Sequence, residues 1–389
     1  MPALFLIVFI DMVGFGIVIP LLPFYGEHFG AAPHIVTLLM VSFSLMQFIS
    51  APLLGALSDR FGRRPVILIS IAGTSGAYVL MAFADSLAML FVARAVAGAM
   101  AGNLAAAQAY IADVTSPEDR AKGMGLFGAA FGLGFIFGPL IGGILTGPDP
   151  AAADYQLAPL AAAGMSAVAV VLGFFLLREG KRPAPRDLRL RDWWTPVTDA
   201  LGRRDMALLV TVFFLVMFAF AGMEATIALW SERQMDWGPR QVGYLFAFVG
   251  VIAAVVQGAL IGPLTRRFGE ERVLVAGVVG LIGGFVLLPL SWTLAPLLLA
   301  TALLAAGFGM ASPALHALIS RRADARSQGA ALGVAQSASS LARILAPALA
   351  GVVFTAWGRE WPYFIGAMFL AVAGIGALRL MRDRAANPG

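Results

Sequence analysis

The sequence predicts an all-α polytopic membrane protein with twelve transmembrane helices in two six-helix bundles. Apolar residues occupy 60% of the 389 positions and Asp, Glu, Lys and Arg only 13%, about half the charged share of a soluble domain. The apolar residues fall in blocks of roughly twenty, the length that crosses a ~30 Å hydrocarbon core. Basic residues concentrate in alternate connections, and a motif of the first half recurs in the second.

The apolar blocks predict twelve spans separated by short polar connections. The alternative, a β-barrel, would show alternating strands of ~10 residues rather than continuous apolar runs. The predicted spans cover approximately residues 3–24, 36–57, 65–83, 87–112, 121–146, 157–177, 205–230, 240–262, 273–291, 294–319, 327–356 and 362–378.

The distribution of basic residues predicts the orientation. Of the 27 Lys and Arg residues, only Arg233, Arg240 and Arg359 lie in odd-numbered connections, and only Arg94 and Arg343 lie inside spans. The rest lie in even-numbered connections and the C-terminal tail, which is typical of cytoplasmic segments. We therefore expect a bacterial-type inner membrane with both termini in the cytoplasm. The net charge of +5 then indicates topology rather than a nucleic-acid partner.

A repeat relates the two halves of the chain. Six positions after the second span recur after the eighth span: Gly55, Leu57, Arg60, Phe61, Gly62 and Val66 match Gly262, Leu264, Arg267, Phe268, Gly269 and Val273. The repeat begins after the same span of each half, so the halves share one orientation. Parallel repeats of this kind are typical of transporters with a binding site at the membrane midplane.

A long polar connection separates the two repeats. It contains Trp193 and Trp194, which suit a short helix at the cytoplasmic interface. We therefore predict an N-terminal six-helix bundle over residues 1–178, a cytoplasmic linker over 179–204 and a C-terminal six-helix bundle over 205–389.

Three motifs connect the chain to a known family. The connection over residues 55–65 reads Gly-Ala-Leu-Ser-Asp-Arg-Phe-Gly-Arg-Arg-Pro, the fourth span carries Arg94, and the fifth carries Gly138-Pro139 followed by a glycine pair. These motifs resemble those of the major facilitator superfamily. Together with the first span, they are most similar to the tetracycline-resistance-type branch of the drug/proton antiporter group. The resemblance implies the major facilitator fold.

The resemblance also implies a function, namely proton-coupled secondary active efflux of small amphipathic or apolar compounds by alternating access. The residues themselves leave open a proton symporter or facilitator that imports a small metabolite. In the tetracycline-resistance branch the third and ninth helices carry an aspartate at the positions of Ala77 and Leu281 here. This difference argues against tetracycline, as a metal chelate, as the substrate.

Two carboxyl groups inside spans are the candidate proton carriers. Asp11 lies about a third of the way into the first span and Glu224 lies deep in the seventh. An intramembrane carboxylate costs about 2.5–3.5 kcal/mol on insertion scales, so it is expected to face a cavity, to pair or to hold a proton. The alternative for each is a hydrogen bond that ties two helices together.

Six further residues complete the predicted coupling site and solute cavity. The resemblance links Arg94 to proton coupling, and its permanent charge stabilises a nearby carboxylate; a static buried ion pair is the alternative. Arg343 matches no motif, so a functional and a structural role are equally supported. The uncharged polar candidates could contact solute or tie helices together: Asn103, Gln108, Gln257 and Gln336.

The resemblance implies that the connection after the second span acts as a cytoplasmic gate. Asp59 and Arg63 are four residues apart, a spacing that lets them pair on a helix, and Asp113 is a further partner. A solvated basic loop would explain the arginines but not the fixed glycines. The predicted gate consists of Gly55, Asp59, Arg60, Gly62, Arg63, Arg64 and Asp113.

The fifth span resembles the antiporter motif of drug/proton exporters. Gly134, Gly138 and Gly142 recur every fourth residue, so they share one face that lets a second helix approach closely. Pro139 can bend this span. Generic helix packing explains the glycines alone, whereas Gly138-Pro139 followed by Gly142 and Gly143 favours an exporter over a facilitator.

The composition argues against other functional classes. No GxxxxGK[ST] sequence occurs, so we expect the proton gradient rather than ATP to drive the protein. There are no cysteines, and the three histidines are far apart in sequence, so we expect neither a cofactor nor a metal site. The spans offer no nucleophile with a base, so an enzyme is disfavoured. The expected partners are a small-molecule substrate, protons and the lipid bilayer, and we expect a monomer.

Overall fold

The computed structural model describes residues 2–115, 120–177, 202–323 and 328–386, which are helical with no strand among them. Twelve segments are long and apolar enough to cross a membrane, which confirms the predicted count. The α-helices are Pro2–Val18, Leu22–His28, Pro33–Phe61, Arg63–Ala82, Leu87–Ala101, Leu104–Val114, Arg120–Thr146, Leu157–Leu176, Arg204–Met235, Pro239–Val255, Ile261–Phe268, Glu270–Leu287, Leu294–Arg322, Gln328–Trp357 and Trp361–Ala386.

We number the spans 1 to 12 in chain order, and their ends lie within a few residues of those predicted. They are Phe5–His28, Pro33–Phe61, Arg63–Ala82, Leu87–Ile111, Met124–Thr146, Leu157–Leu176, Arg204–Met235, Pro239–Phe268, Glu270–Leu290, Leu294–Arg322, Gln328–Trp357 and Trp361–Arg382.

Three spans contain interruptions that the sequence did not predict. Span 1 breaks between Val18 and Leu22, at Pro20, because proline cannot donate the backbone hydrogen bond of a helix interior. Span 4 breaks after Ala101, at Gly102, where an added Cβ would lie 2.6 Å from the Ser50 hydroxyl oxygen of span 2. Span 8 contains the π-helix Val256–Leu260, a distortion found often at functional sites.

The chain folds into two compact units. The first unit contains spans 1 to 6 together with Ser231–Gly250, and the second contains the remainder of spans 7 and 8 with spans 9 to 12. This division differs from the predicted halves in one segment, since the end of span 7 and the start of span 8 pack with the first six spans. Residues 178–201, and so most of the predicted linker with Trp193 and Trp194, lie outside the described residues.

The repeat recognised in the sequence has the same backbone in both units. Gly62 joins spans 2 and 3 with φ 106° and ψ 155°, and Gly269 joins spans 8 and 9 with φ 81° and ψ 159°. Only glycine adopts a positive φ of this kind without strain. Each glycine ends one helix and begins the next, which explains why the repeat keeps glycine at these positions.

The core of the first unit lies among spans 1, 3, 4, 5 and 6. Side chains from these spans form one buried cluster that includes Ile7, Ile71, Ile111, Ala130 and Ala169. A smaller cluster from spans 2, 3 and 4 consists of Phe43, Ala77 and Ala97. These two clusters enclose the central parts of spans 1 and 4, where Asp11 and Arg94 lie.

Candidate functional site

Asp11 and Arg94 lie in the first unit without an ion pair to any described residue. The Oδ1 atom of Asp11 is buried and has no hydrogen-bond partner among the described residues, and the same is true of Nε of Arg94. Arg94 is only 5% exposed, and its guanidinium lies 4.4 Å from the ring centroid of Phe43. This cation–π contact gives the guanidinium a partner that cannot neutralise it.

Tyr78 connects these two charges electrostatically. Its side chain is 1% exposed and interacts with the charges of both Asp11 and Arg94. Gly14, one turn after Asp11, lies beside the Tyr78 ring, and an added Cβ there would make an ordinary contact of 3.8 Å with its Cε2 atom. Burying a carboxylate oxygen without a hydrogen-bond partner costs free energy. Proton uptake at Asp11 would remove the negative charge and so lower this cost. The site can therefore take up a proton.

Sequence reasoning did not identify Tyr78 or Phe43 as part of this site. Aromatic residues in an apolar helix give no signal that separates a core ring from a ring beside a charge. The position of Tyr78, directly after the Ala77 position at which the resemblance implies an aspartate, was the one available indication.

Glu224 and Arg343 form an ion pair in the second unit. Arg343 Nη1 lies 3.8 Å from Glu224 Oε2, and the Glu224 side chain is 14% exposed. The two residues belong to spans 7 and 11, so no local spacing in the sequence could have paired them. The pair gives Arg343, which matches no motif, a reason to lie inside a span.

The uncharged polar candidates do not share one environment. Asn103 is 6% exposed and begins the second helix of span 4, whereas the side chains of Gln108, Gln257 and Gln336 are exposed. Gln257 lies in the π-helix of span 8. Gln47 of span 2 donates a hydrogen bond to the Ala101 carbonyl oxygen of span 4 at 3.3 Å, which ties two helices together.

The predicted gate residues form one network around Arg63. Its Nη1 atom lies 2.5 Å from Asp59 Oδ1, and its Nε atom donates to Asp113 Oδ2 at 3.1 Å. Nη1 also donates to the Ser58 hydroxyl oxygen at 2.6 Å. Arg63 is 9% exposed, so this network joins the end of span 2, the start of span 3 and the helix that ends span 4. Gly62 supplies the turn between the first two of these.

The other gate residues lie around this network. Arg64 donates to the Phe174 carbonyl oxygen of span 6 at 2.5 Å, and its guanidinium lies 5.3 Å from the Phe174 ring centroid. Arg60 stacks on Phe61 at 5.3 Å and is exposed. An added Cβ on Gly55 would meet no atom within 4 Å, so steric crowding does not explain a glycine there.

The antiporter-motif residues contact two different helices of the first unit. An added Cβ on Gly138 would lie 2.6 Å from Cα of Gly16 in span 1, and one on Gly134 would lie 2.5 Å from Cβ of Met12. Gly142 contacts the Ile17 backbone even more closely. The glycine face of span 5 is therefore fitted against span 1.

The remaining residues of the motif contact the start of span 8. An added Cβ on Gly143 would lie 2.7 Å from the Pro239 carbonyl oxygen, and one on Gly243 would lie 2.5 Å from the Pro139 carbonyl oxygen. In sequence, span 8 belongs to the second half of the chain, but this segment packs in the first unit. Sequence reasoning identified the small face but not this second contact.

Sequence reasoning also missed a salt bridge of the second unit. Glu270 directly follows Gly269, as Arg63 follows Gly62, and Arg321 Nη2 lies 2.9 Å from Glu270 Oε1. Arg321 lies in the last turn of span 10, the counterpart of span 4 in the repeat. The repeat itself was the signal that could have located it.

Comparison with known proteins identifies the family. The family model of the Major Facilitator Superfamily matches residues 4–293 and 258–389. The tetracycline resistance protein, class C, of Escherichia coli is 36% identical over 382 residues, which cover 93% of this chain and 92% of that protein. Multidrug resistance protein 2 of Bacillus subtilis (strain 168) is 26% identical over 383 residues, 97% of this chain and 94% of that protein.

A solved structure shows the same architecture. The crystal structure of the human organic anion transporter MFSD10 (TETRAN) aligns with a TM-score of 0.74 and 25% identity, over 97% of this chain and 98% of that one. The chain is a multi-pass membrane protein whose relatives are transporters and include tetracycline resistance proteins. It belongs to the Major Facilitator Superfamily.

Proposed function

We propose that the protein is a proton-coupled exporter that moves small amphipathic or apolar compounds out of the cytoplasm by alternating access. The observation that carries this proposal is the buried, unpartnered Oδ1 atom of Asp11 in a chain related to tetracycline resistance proteins. A carboxyl group without a cation partner can exchange a proton each time its access changes. The proton gradient is then the energy source, and no cofactor is needed.

Aromatic side chains near Arg94 support an apolar or amphipathic substrate. Phe15 lies 5.3 Å from Phe43 and 6.0 Å from Phe135 between ring centroids, and Phe131 stacks on Phe135 at 5.2 Å. These aromatic rings form a continuous row that begins at the guanidinium of Arg94 and includes rings of spans 1, 2 and 5. Such rings with one convergent charge suit a compound with an apolar body and a polar end.

The substrate proposal does not extend to a metal chelate. Ala77 is 2% exposed and Leu281 is not exposed, so both positions are apolar and packed where the tetracycline-resistance branch carries an aspartate. No group of three or more metal-binding side chains occurs in the part of the chain that the structure describes. We propose that the protein acts as a monomer in a bacterial-type inner membrane with both termini cytoplasmic.

Transport in inside-out vesicles tests the proposal. With an acidic lumen, a fluorescent amphipathic dye is expected to enter as protons leave. We expect Asp11→Asn to reduce this gradient-driven uptake at least about tenfold, because the proton-binding group is lost, and Glu224→Gln to reduce it less. Asp85→Asn, which removes an exposed carboxylate between spans 3 and 4, is the matched control and is expected to transport normally.

Two results would contradict the proposal. One is native gradient-driven uptake in both Asp11→Asn and Glu224→Gln. The other is solute movement in the same direction as the protons, which would indicate a symporter.

A further inference from the structure

The ends of spans 7 and 8 that face the predicted outer side are fastened to the first unit at several points. The Arg240 backbone N–H donates to the Gly147 carbonyl oxygen at 3.1 Å. Gly238 contacts the Pro148 backbone, and an added Cβ on Gly250 would lie 2.7 Å from Cγ1 of Ile136. Because backbone atoms approach each other directly here, the segment Ser231–Gly250 is positioned closely on span 5.

A charged cluster lies at the same place. Arg233 Nη2 lies 2.5 Å from Glu27 Oε1, and the Glu232 carboxyl group lies within hydrogen-bonding reach of Glu27. The Oε2 atom of Glu232 is buried without a hydrogen-bond partner. A cavity of about 510 Å³ opens beside the cluster and is lined by these three residues, Asp236 and residues 30–33. A hydrogen bond between two carboxyl groups requires one of them to hold a proton.

The electrostatics of the surroundings are negative. Burial raises the pKa of Tyr155 to about 12, and the negative charges of Glu232, Glu27 and Asp149 add to the shift. His28 stacks near Tyr155 with ring centroids 4.9 Å apart. Titratable and charged groups on the elements packed around the carboxyl pair include Tyr25, Glu27, His28, Asp149, Tyr155, Glu232, Arg233, Asp236 and Arg240, together with His34, which directly follows the cavity-lining Pro33.

We propose that Glu27, Glu232 and Arg233 form a proton-dependent latch that holds the outer ends of spans 7 and 8 on the first unit. The inference rests on the proposed function, because a protein that alternates its access must release these contacts in each cycle. The residues of the latch lie on the face that the arginine distribution predicts to be external.

The latched and released states bind different numbers of protons, and this difference determines how pH shifts the balance between them. In the latched state the two carboxyl groups share one proton, and Arg233 offsets the remaining negative charge. In the released state both groups reach water and ionise near the ordinary glutamate value of ~4.3. The latched state therefore binds more protons, so acid stabilises it and rising pH favours release.

This direction suits an exporter. After the solute has left, the outer side must close again before the protein can return, and external protons are abundant where the membrane is energised. A contact that forms only with a proton makes closure depend on the external proton. Protons would then act at two places, on the latch for closure and on Asp11 for coupling.

The absence of cysteine from the chain allows a direct test by thiol labelling. Ala31 lines the cavity and is 9% exposed, so Ala31→Cys reports on release. Its labelling rate by a membrane-impermeant thiol reagent is measured from about pH 5.5 to about pH 9, a range that lies above the ordinary glutamate pKa of ~4.3, so that both carboxyl groups are ionised whenever the latch is released. Each rate is divided by that of Ala151→Cys, an exposed position, which removes the pH dependence of the thiol itself.

The variants give distinct expected profiles. We expect the relative labelling rate of the native background to rise at least about threefold with pH. In Glu232→Gln and Glu27→Gln the new amide N–H can donate a hydrogen bond to the remaining carboxylate, with no shared proton needed. Labelling is therefore expected to stay slow at every pH. Arg233→Gln removes the cation, so labelling is expected to be fast throughout.

Two controls separate the latch from general charge effects. Arg359→Gln removes another arginine of the odd-numbered connections, one that pairs with the adjacent Glu360 at 2.9 Å, and is expected to leave the native profile unchanged. His28→Gln is also expected to retain the pH response.

Two results would overturn the latch. One is a native pH profile in both Glu232→Gln and Glu27→Gln, and the other is a native labelling rate in Arg233→Gln. Labelling needs neither solute nor gradient, so the latch and the exporter proposal can fail separately.

Discussion

In the first unit an arginine begins span 3 and an acid lies near the end of span 4, whereas in the second unit an acid begins span 9 and an arginine ends span 10. Arg63 and Asp113 are joined at 3.1 Å, and Glu270 and Arg321 at 2.9 Å. In each pair, the residue that begins the helix directly follows a glycine with a positive φ, Gly62 in the first unit and Gly269 in the second. The two halves therefore fasten equivalent helices with the charges exchanged.

The exchange changes how each pair interacts with the helix dipoles. Acids are stabilised at helix N-termini and bases at C-termini, by about 0.3–1 kcal/mol each. Glu270 and Arg321 both satisfy this preference, while Arg63 and Asp113 both oppose it. Arg63 is also the more buried base, with a side chain 11% exposed against 65% for Arg321. The helix dipoles therefore do not stabilise the first-unit network, which depends on the interactions among its own side chains.

The two units also differ in how closely helices pack against the small residues of span 5 and of span 11. Aligning Pro139 with Pro347 places Gly138 and Gly142 of span 5 opposite Ala346 and Ala350 of span 11. In the second unit an added Cβ on Gly222 would lie 3.5 Å from Cβ of Ala350, an ordinary contact. In the first unit the corresponding helices approach closely enough that no Cβ fits. The comparison indicates that the specialised helix contact belongs to the first unit.

Removing each arginine should give the largest difference between the units. Arg63→Gln leaves Asp59 and Asp113 without the cation that they share, and breaking a buried pair costs about 3–5 kcal/mol. We expect dye transport to fall at least about tenfold and the protein to unfold at a lower temperature. Arg321→Gln removes a mostly exposed charge, for which about 1 kcal/mol or less is expected. If Arg63→Gln and Arg321→Gln lost equal amounts of transport and stability, the network around Arg63 would not differ in role from the Glu270–Arg321 pair.

Filling the glycine face should give the next largest effect. Gly138→Ala forces backbone atoms of spans 1 and 5 apart, and overpacking costs about 1–3 kcal/mol. Gly222→Ala adds the same methyl group at an ordinary contact distance and is expected to cost less than about 1 kcal/mol. Thermal unfolding in detergent measures both, and similar midpoints would show that span 5 is no more tightly packed than span 11.

The ion pair of the second unit can be tested by removing one or both partners. Glu224→Gln leaves the Arg343 charge in the span without its acid, whereas the double variant with Arg343→Gln removes both charges. We expect the double variant to be more stable than Glu224→Gln alone by about 1 kcal/mol, as in a double-mutant cycle between contacting residues. A double variant that is the less stable of the two would indicate that Arg343 has other stabilising contacts.

Reversing the second-unit pair should give the smallest effect. Glu270→Arg combined with Arg321→Glu restores attraction but places both charges against the helix dipoles, as in the first unit. We expect a loss of about 0.5–1 kcal/mol relative to the native chain, and a smaller loss than in either single variant. Chemical denaturation or thermal melting measures the order, and a reversed pair as stable as the native one would refute the dipole argument.

The membrane-spanning fold, the twelve spans and the repeat could all be predicted from the amino-acid sequence. Hydrophobic length is a local property, because a span of about twenty apolar residues satisfies its own backbone hydrogen bonds. The repeat also predicted a glycine at both helix junctions. A positive φ depends on the residue at that one position, and glycine adopts it without strain. The spacing of Asp59 and Arg63 likewise predicted a pairing that the structure contains.

The contacts between residues far apart in the chain could not be predicted, because they depend on how the helices pack. The pairing of Glu224 with Arg343, the placement of Arg94 on Phe43 and the fit of Gly143 against span 8 join residues that are far apart in the chain. The interruptions of spans 4 and 8 were not predicted from the sequence either. Side chains on one helix have a fixed spacing, but helices that pack against each other share no sequence register, so the partners of a buried charge depend on the packing.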